Sequence, residues 1–312
     1  MSDSEPLVSI GLIVFNGAQY LAESLDSLIN QDYPNIEIII SDNASQDATP
    51  QICKEYQMKD SRIRYYRNAT NIGHENGTRA FELAKGQFFM WAAHDDLWTR
   101  NYVSALAEAL LANPDCILAY GAVCAIDEHG HRFREYPEAL KLSKSGVLFY
   151  RLRKYIWSEE SEGKPNLFYG LWRTSAVDKV KKQYGLFPDY GCYGDWGVDN
   201  VFVFSMAIEG DFVAVPHATF LRRVYADRTY ADPDLICHIH EMQGYFHRYR
   251  KVIEQRIPPS EERDLLMASI SVREVTWYQR IINSISNEEG KKLIHGLLTQ
   301  YPVEVVRSQI GG

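Results

Sequence analysis

The chain has 312 residues, 46% hydrophobic and 24% charged, with a formal net charge of −8. This content suffices for one large core and a smaller appendage, and the acidic balance argues against a nucleic-acid partner, which would favour a basic face. Five cysteines, at 53, 116, 124, 192 and 237, are odd in number and lack CxxC spacing, so neither a zinc ribbon nor a disulfide framework is indicated. With no charged-then-apolar leader and no run of about 18 apolar residues, a cytoplasmic setting is expected. In chain order, VSIGLIVFN (Val8 to Asn16) reads as a buried strand, followed by a helical pattern with Leu21, Leu25 and Leu28 on one face. IEIIISDNASQD (Ile36 to Asp47) is a second apolar run ending in Ser41, Asp42 and Asn43, with Asp47 opening a helix toward Met58. RIRYY (Arg62 to Tyr66) is a third strand, leading through Asn71-Ile72-Gly73 to a helix over about Thr78 to Lys85.

A fourth apolar run, in FFMWAAHDDLW, ends abruptly in His94, Asp95 and Asp96. Two readings of the acidic pair stand. Taken alone, it favours capping the helix expected from Thr99 to Leu111, because Asp satisfies free N–H groups there. The other reading is a metal site, since carboxylates suit Mg²⁺ or Mn²⁺, which bind through one or two carboxylates plus substrate phosphates. Strands alternating with helices imply a mostly parallel sheet, and ligands collect beyond the carboxyl ends of such strands. Asn16, Asp42, Asn43, Asn71, Asp95 and Asp96 would then share one edge.

The motifs VSIGLIVFNGAQYL, IIISDNASQDAT, NIG and WAAHDDLW, in this order, resemble the nucleotide-sugar half of a family 2 glycosyltransferase of bacterial type. The resemblance is strong over about 130 residues and traceable to about residue 225 through GLWRTSAV, DWGVDNVFVFSMAIEGDFVAVP and FLRRVY. It implies the GT-A fold, an α/β Rossmann-like, mostly parallel sheet flanked by helices. It also implies an inverting, metal-dependent transfer of a sugar from a nucleotide diphosphate donor, with Mn²⁺ or Mg²⁺ as cofactor. By the same resemblance Asp42 contacts the base or ribose, Asp95 is the metal ligand, and Asp96 is a sugar contact or supports the metal. His94 lies in the same donor-binding element. The family's usual first acidic residue aligns with Ala93. Phe15 is placed to lie against the base or to join the core, and Asn16 and Asn71 to position the nucleotide or to serve local turns. The general base falls on Asp199, with Asp195 second; both also suit capping of a helix from about Asn200 to Glu209. Beyond the GDF turn, Phe212 to Val215 and Ala218 to Arg223 read as two short strands. Arg222 or Arg223 suits phosphate pairing, with a surface ion pair as the plainer use. Members often follow this arginine with a metal-assisting His; here Val224 and Tyr225 stand instead.

The region from Glu135 to Gly170 carries Tyr136, Tyr150, Tyr155, Trp157 and Tyr169, with Trp172 beyond. These aromatics suit either sugar stacking by the acceptor or a second apolar cluster. Arg151, Arg153 and Lys154 read first as a solvated face, with phosphate or lipid head-group contact as a lesser use. From about residue 232 the pattern is helical, broken at Ile257-Pro258-Pro259 and resuming at Ser260. Leu266, Ile270, Val275, Tyr278, Ile282 and Ile285 form an apolar stripe. The expected organisation is a GT-A domain over 1–230 with a helical C-terminal extension over 231–312. The expected partners are a nucleotide-sugar donor, with UDP-sugars favoured, and a glycan or lipid-linked glycan acceptor. Peripheral contact with the inner face of the cell membrane and homo-oligomerisation are secondary expectations. The absence of spanning helices and of a QxxRW motif disfavours a processive synthase. The role expected is non-processive transfer in bacterial surface polysaccharide synthesis; a nucleotide-sugar-binding protein that has lost catalysis is the alternative.

Overall fold

In the first strand, β1 (Val8–Val14), all but one residue are buried. Continuous burial of this kind requires neighbours on both edges and cover on both faces. β1 pairs in parallel with β2 (Ile36–Asp42) and with β4 (Phe88–Ala93), and β2 pairs in parallel with β3 (Ile63–Arg67). The computed structural model describes residues 5–188, 196–225, 235–284 and 288–301. They belong to two units, one of residues 1–145, 159–188 and 209–229, the other of residues 146–158, 189–208 and 230–312.

In the first unit, the helices α1 (Leu21–Ile29), α2 (Thr49–Lys59), α3 (Glu75–Glu82) and α4 (Tyr102–Ala112) alternate with the strands. The sheet continues through β5 (Leu97–Trp98), β6 (Cys116–Ile126), β7 (Arg132–Glu135), β8 (Leu171–Arg173) and β9 (Asp211–Arg223) in the order β3-β2-β1-β4-β8-β6-β9-β5, with β7 on β6. Within one sheet the register carries Asp42 opposite Val14, and Ala93 opposite Ile13. Three strands therefore end level, and the residues after them gather at one rim. Leu21, Leu25 and Leu28 are fully buried in the core below, as the helical spacing requires.

Three expectations change. α3 begins at Glu75, before Gly77, instead of near Thr78. Gly77 disfavours a helix by propensity, but a Cβ there would sit 3.1 Å from the Phe187 ring, and its carbonyl accepts the Trp91 indole N–H at 3.0 Å. Close packing outweighs propensity. The acidic pair does not cap α4, because β5 intervenes and pairs with β9 through Leu97 to Leu221 and Trp98 to Phe220. The two strands expected at 212–223 are one strand, whose pairing with β6 steps from Gly121–Val215 to Ala122–Thr219. Residues 216–218 bulge out there, and a Cβ on Gly121 would lie 2.4 Å from the Ala218 carbonyl oxygen.

The second unit contains α5 (Leu148–Trp157), which precedes α6 (Thr174–Tyr184) of the first unit in the chain. It also contains α7 (Val198–Glu209), whose last residue falls in the first unit, with α8 (Leu235–Arg256), α9 (Glu261–Ser284) and α10 (Glu288–Leu298). Tyr249 stacks on Phe204 at 4.4 Å, and the Tyr155 hydroxyl donates to Asn200 Oδ1 at 2.9 Å. Leu266, Ile270, Val275 and Tyr278 of the α9 stripe are buried, and Tyr278 packs with Ile239, Ile294 and Leu297. Ile282 is partly buried against that cluster, and Ile285 lies outside the described residues.

Candidate active site

The loop after β1 is stitched to the loop after β2. Asn16 adopts a positive φ of 49°, a region Asn tolerates better than most side chains. Its N–H donates to Ser45 Oγ at 2.9 Å, and its side-chain oxygen accepts the Gln46 N–H at 2.8 Å. Gly17 N–H donates to Thr49 Oγ1, and Ala18 N–H to Asp47 Oδ2. Burial raises the Asp47 carboxyl, but hydrogen bonds from Thr49 and Ala18 outweigh it and leave the pKa below the ordinary value. Phe15 remains 44% exposed at this rim, so it is a surface ring, not a core one.

Asp42 is enclosed. Its Oδ1 accepts the Ser45 N–H at 2.8 Å, and its Oδ2 accepts the Tyr65 hydroxyl at 2.7 Å with Arg67 Nε at 3.4 Å. Its side chain has no exposed surface, so direct contact with a nucleotide requires one of these partners to yield. Burial, and then the Asp42 bond, raises the Tyr65 pKa. Asn43 links the next loop: its Nδ2 donates to Asn71 Oδ1 at 2.7 Å, and its Oδ1 accepts the Ile72 N–H at 2.9 Å. Asn71, exposed, also accepts the Gly73 N–H at 2.9 Å. Asn16 and Asn71 thus both shape loops.

At the end of β4, His94 lies against Gly17, where a Cβ would meet the imidazole Cδ2 at 2.3 Å. Asp95 is half-buried and Asp96 buried. Arg223 organises both: its N–H donates to Asp96 Oδ1 at 2.7 Å, and its Nε donates to the Asp95 carbonyl at 2.9 Å. The same guanidinium reaches the Asp127 and Glu128 carbonyls, pairs with Glu23 at 2.8 Å and covers the Tyr20 ring at 4.3 Å. All its nitrogens are engaged, so phosphate pairing at this position falls to half-buried Arg222. Tyr225 donates its hydroxyl to Asp95 Oδ2 at 2.7 Å, with its ring 5.6 Å from Tyr20. Burial, and then the Asp95 charge, raises the Asp96 pKa.

Asp199 stands in the first turn of α7 in the second unit, where Oδ1 accepts the Asn200 N–H at 2.7 Å. Asp195 lies outside the described residues. Among the described residues no group of three or more His, Cys, Asp or Glu side chains is placed to hold a metal. The donor chemistry at the rim nevertheless fits a hard divalent cation of the kind that keeps waters and substrate phosphates in its shell. Among the described residues Asp95 presents a carboxylate hydrogen-bonded through Oδ2, whereas Asp96 is turned to the Arg223 amide.

Sequence reading placed Asn16, Asp42, Asn43, Asn71, Asp95 and Asp96 near one edge; Asp42 is the last residue of β2, and the others lie in the loops after β1, β2, β3 and β4. It passed over Tyr20, Glu23, Ser45 and Tyr65. Their signal is weak because none has a periodic signature: only the fold brings the Tyr65 hydroxyl and the Ser45 N–H to Asp42, and Glu23 and the Tyr20 ring to Arg223.

The sequence profile described as glycosyl transferase family 2 matches residues 9–167. An uncharacterized glycosyltransferase of Methanocaldococcus jannaschii is 30% identical over 181 residues, 57% of this chain and 59% of that protein. One from Rickettsia typhi is 36% identical over 134 residues, 40% of this chain and 39% of its own length. The chain therefore spans less than two thirds of either relative. Among solved structures, S. aureus TarS 1–349 in complex with UDP-GlcNAc superposes with a TM-score of 0.67 at 17% identity, covering 91% of this chain and 77% of that one. The Pyrobaculum calidifontis mannosyltransferase PcManGT in complex with GDP-Man and Mn²⁺ gives 0.53 at 16% identity, covering 99% and 84%. These likenesses establish a GT-A architecture, and the profile match over half the sequence establishes kinship: the chain belongs to glycosyl transferase family 2.

Proposed function

We propose that this protein is an inverting, metal-dependent, non-processive glycosyltransferase. It moves one sugar from a nucleotide diphosphate donor to a glycan or lipid-linked glycan acceptor, in bacterial surface polysaccharide synthesis. The observation that carries the reading is Asp95, held by Tyr225 and by the Arg223 clamp beside the ends of β1 and β4. UDP is the favoured donor base. Neighbours of the same fold bound to UDP-GlcNAc or GDP-Man support a nucleotide-sugar donor and define the panel to test.

In this reading Asp95 holds Mn²⁺ or Mg²⁺, with Asp96 behind it keeping the turn closed. When bound, the ion supplies charge neutralisation at the diphosphate leaving group. Phe15, exposed at the rim, lies against the base; Asn16, Asn71 and His94 shape its loops, and Asp42 fixes the Ser45 turn that borders the nucleotide. Arg222 pairs with phosphate oxygens. Asp199, with Asp195 as second choice, accepts the proton of the acceptor hydroxyl, a role worth roughly 10²–10⁴-fold in rate. Attack from the face opposite the diphosphate inverts the anomeric carbon. Residues 1–230 form the catalytic domain in this assignment, and 231–312 a helical extension.

The test is nucleotide diphosphate release from UDP-, GDP- and dTDP-sugars with Mn²⁺. Release by the wild type, abolished in folded Asp95→Asn and Asp199→Asn variants, supports the reading. Donor binding by thermal shift without turnover on any acceptor supports instead the binding protein that has lost catalysis, the alternative that the Ala93 and Tyr225 departures raise.

A further inference from the structure

The helix α5 is amphipathic in an unusual sense. At 100° per residue, Tyr150, Arg153, Lys154 and Trp157 fall within an arc of about 100°; these four and Val147, the residue before the helix, are exposed. Val147, Tyr150 and Trp157 are 62%, 61% and 42% accessible, three of the few large hydrophobic side chains left open among the described residues. The opposite face buries Leu152, Tyr155 and Ile156, and Tyr155 is fixed by its bond to Asn200. The exposed face is therefore held in place from behind. Tyr150, Arg153, Lys154 and Trp157 line an open groove of about 580 Å³.

We infer that this face of α5 is a docking surface for an anionic lipid membrane. Trp and Tyr settle at the head-group level because each has an apolar body and a polar tip. Arg and Lys bury their stems along apolar surface while their charged heads reach phosphate. The charge is complementary in a specific way: on a chain of net charge −8, this arc holds two cations and no carboxylate. No ion pair joins Arg153 or Lys154 to a described residue. A second copy docking symmetrically would set these cations against one another. A neutral glycan is recognised through carboxylate or amide side chains beside the aromatic ring, and the arc contains neither. The surface also differs from a spanning anchor: no described helix is long and apolar enough to cross a membrane. Contact over a helix about 15 Å long implies reversible, salt-sensitive attachment.

The experiment is flotation of the full chain with vesicles of phosphatidylcholine, with and without phosphatidylglycerol, at low and high salt. The wild type is expected to float only with anionic vesicles and to be released by salt. Arg153→Glu/Lys154→Glu and Tyr150→Ser/Trp157→Ser, each checked for native far-UV dichroism, are expected to partition at least roughly tenfold less. Brominated lipid is expected to quench wild-type tryptophan emission more than that of Trp157→Phe. Failure of the wild type to float, undiminished flotation of both double variants, or a patch-dependent dimer or glycan complex in place of vesicle binding overturns the inference. Donor turnover is a separate readout, so failure here leaves the transferase assignment to its own test.

Discussion

The hydroxyl of Tyr225 donates a 2.7 Å hydrogen bond to Oδ2 of Asp95 across 130 residues of sequence. Where the family resemblance implies a histidine, the hydroxyl of a phenol holds the carboxylate in its rotamer. A hydrogen bond to a charged group is worth about 1.5–3 kcal/mol. Tyr225→Phe is therefore expected to lower the melting temperature by a few degrees and donor turnover by roughly tenfold or more. Tyr225→His, which restores a ring donor, is expected to recover part of the loss. Turnover measured across a Mn²⁺ titration checks both, and a Phe variant as active as the wild type removes Tyr225 from the site.

The neighbouring arginines are expected to separate cleanly. Arg223 is buried and satisfies the Asp95, Asp127 and Glu128 carbonyls. Its ion-pair partner Glu23 is 57% exposed, so the cost of Arg223→Met resides chiefly in carbonyls left without donors, roughly 2–4 kcal/mol. Arg222→Gln is expected to leave stability within about 0.5 kcal/mol and to weaken nucleotide affinity. Denaturant unfolding and a nucleotide titration on the two variants give the comparison.

Asp96 makes stability depend on pH with a defined sign. Its folded pKa is raised, by burial and then by Asp95, whereas in the unfolded chain it titrates near about 4. Between these values the folded protein binds more protons, so stability from this group is present below the unfolded pKa and is lost as pH rises through the folded one. Asp96→Asn keeps an oxygen for the Arg223 amide without the charge. Measured without divalent ions, its melting temperature relative to wild type is expected to climb between about pH 4 and about pH 8 and to level off above. A constant offset over that range counts against a buried, perturbed carboxyl.

Gly121 marks the step in the β6–β9 pairing. A Cβ there meets the Ala218 carbonyl at 2.4 Å and Tyr102 at 2.6 Å. Gly121→Ala is expected to cost roughly 1–3 kcal/mol, read as a lower melting temperature; an unchanged value would mean the bulge is soft.

The parallel half of the fold was legible because fully buried strands need continuous apolar runs, and β1, β2 and β4 have them. Helix starts were less legible. Gly77 reads as a helix breaker yet sits inside α3, where a Cβ would come within 3.1 Å of the Phe187 ring and the glycine carbonyl accepts the Trp91 indole N–H. The acidic pair was ambiguous for the same reason: only the pairing of Leu97 with Leu221 removes it from the start of α4.

By itself the sequence determined the alternation of strands and helices, the family kinship and the acidic residues at the strand ends, since local periodicity and motif order carry that information. Tertiary structure alone decided that Arg223 serves as an internal clamp while Arg222 stays open, that Asp42 is sealed by Tyr65 and Ser45, and that Tyr150 and Trp157 face outward while Tyr155 faces in. The physical reason is that a hydrogen bond or a burial fraction depends on what the chain brings back from far along its length, and residue type does not encode that distance.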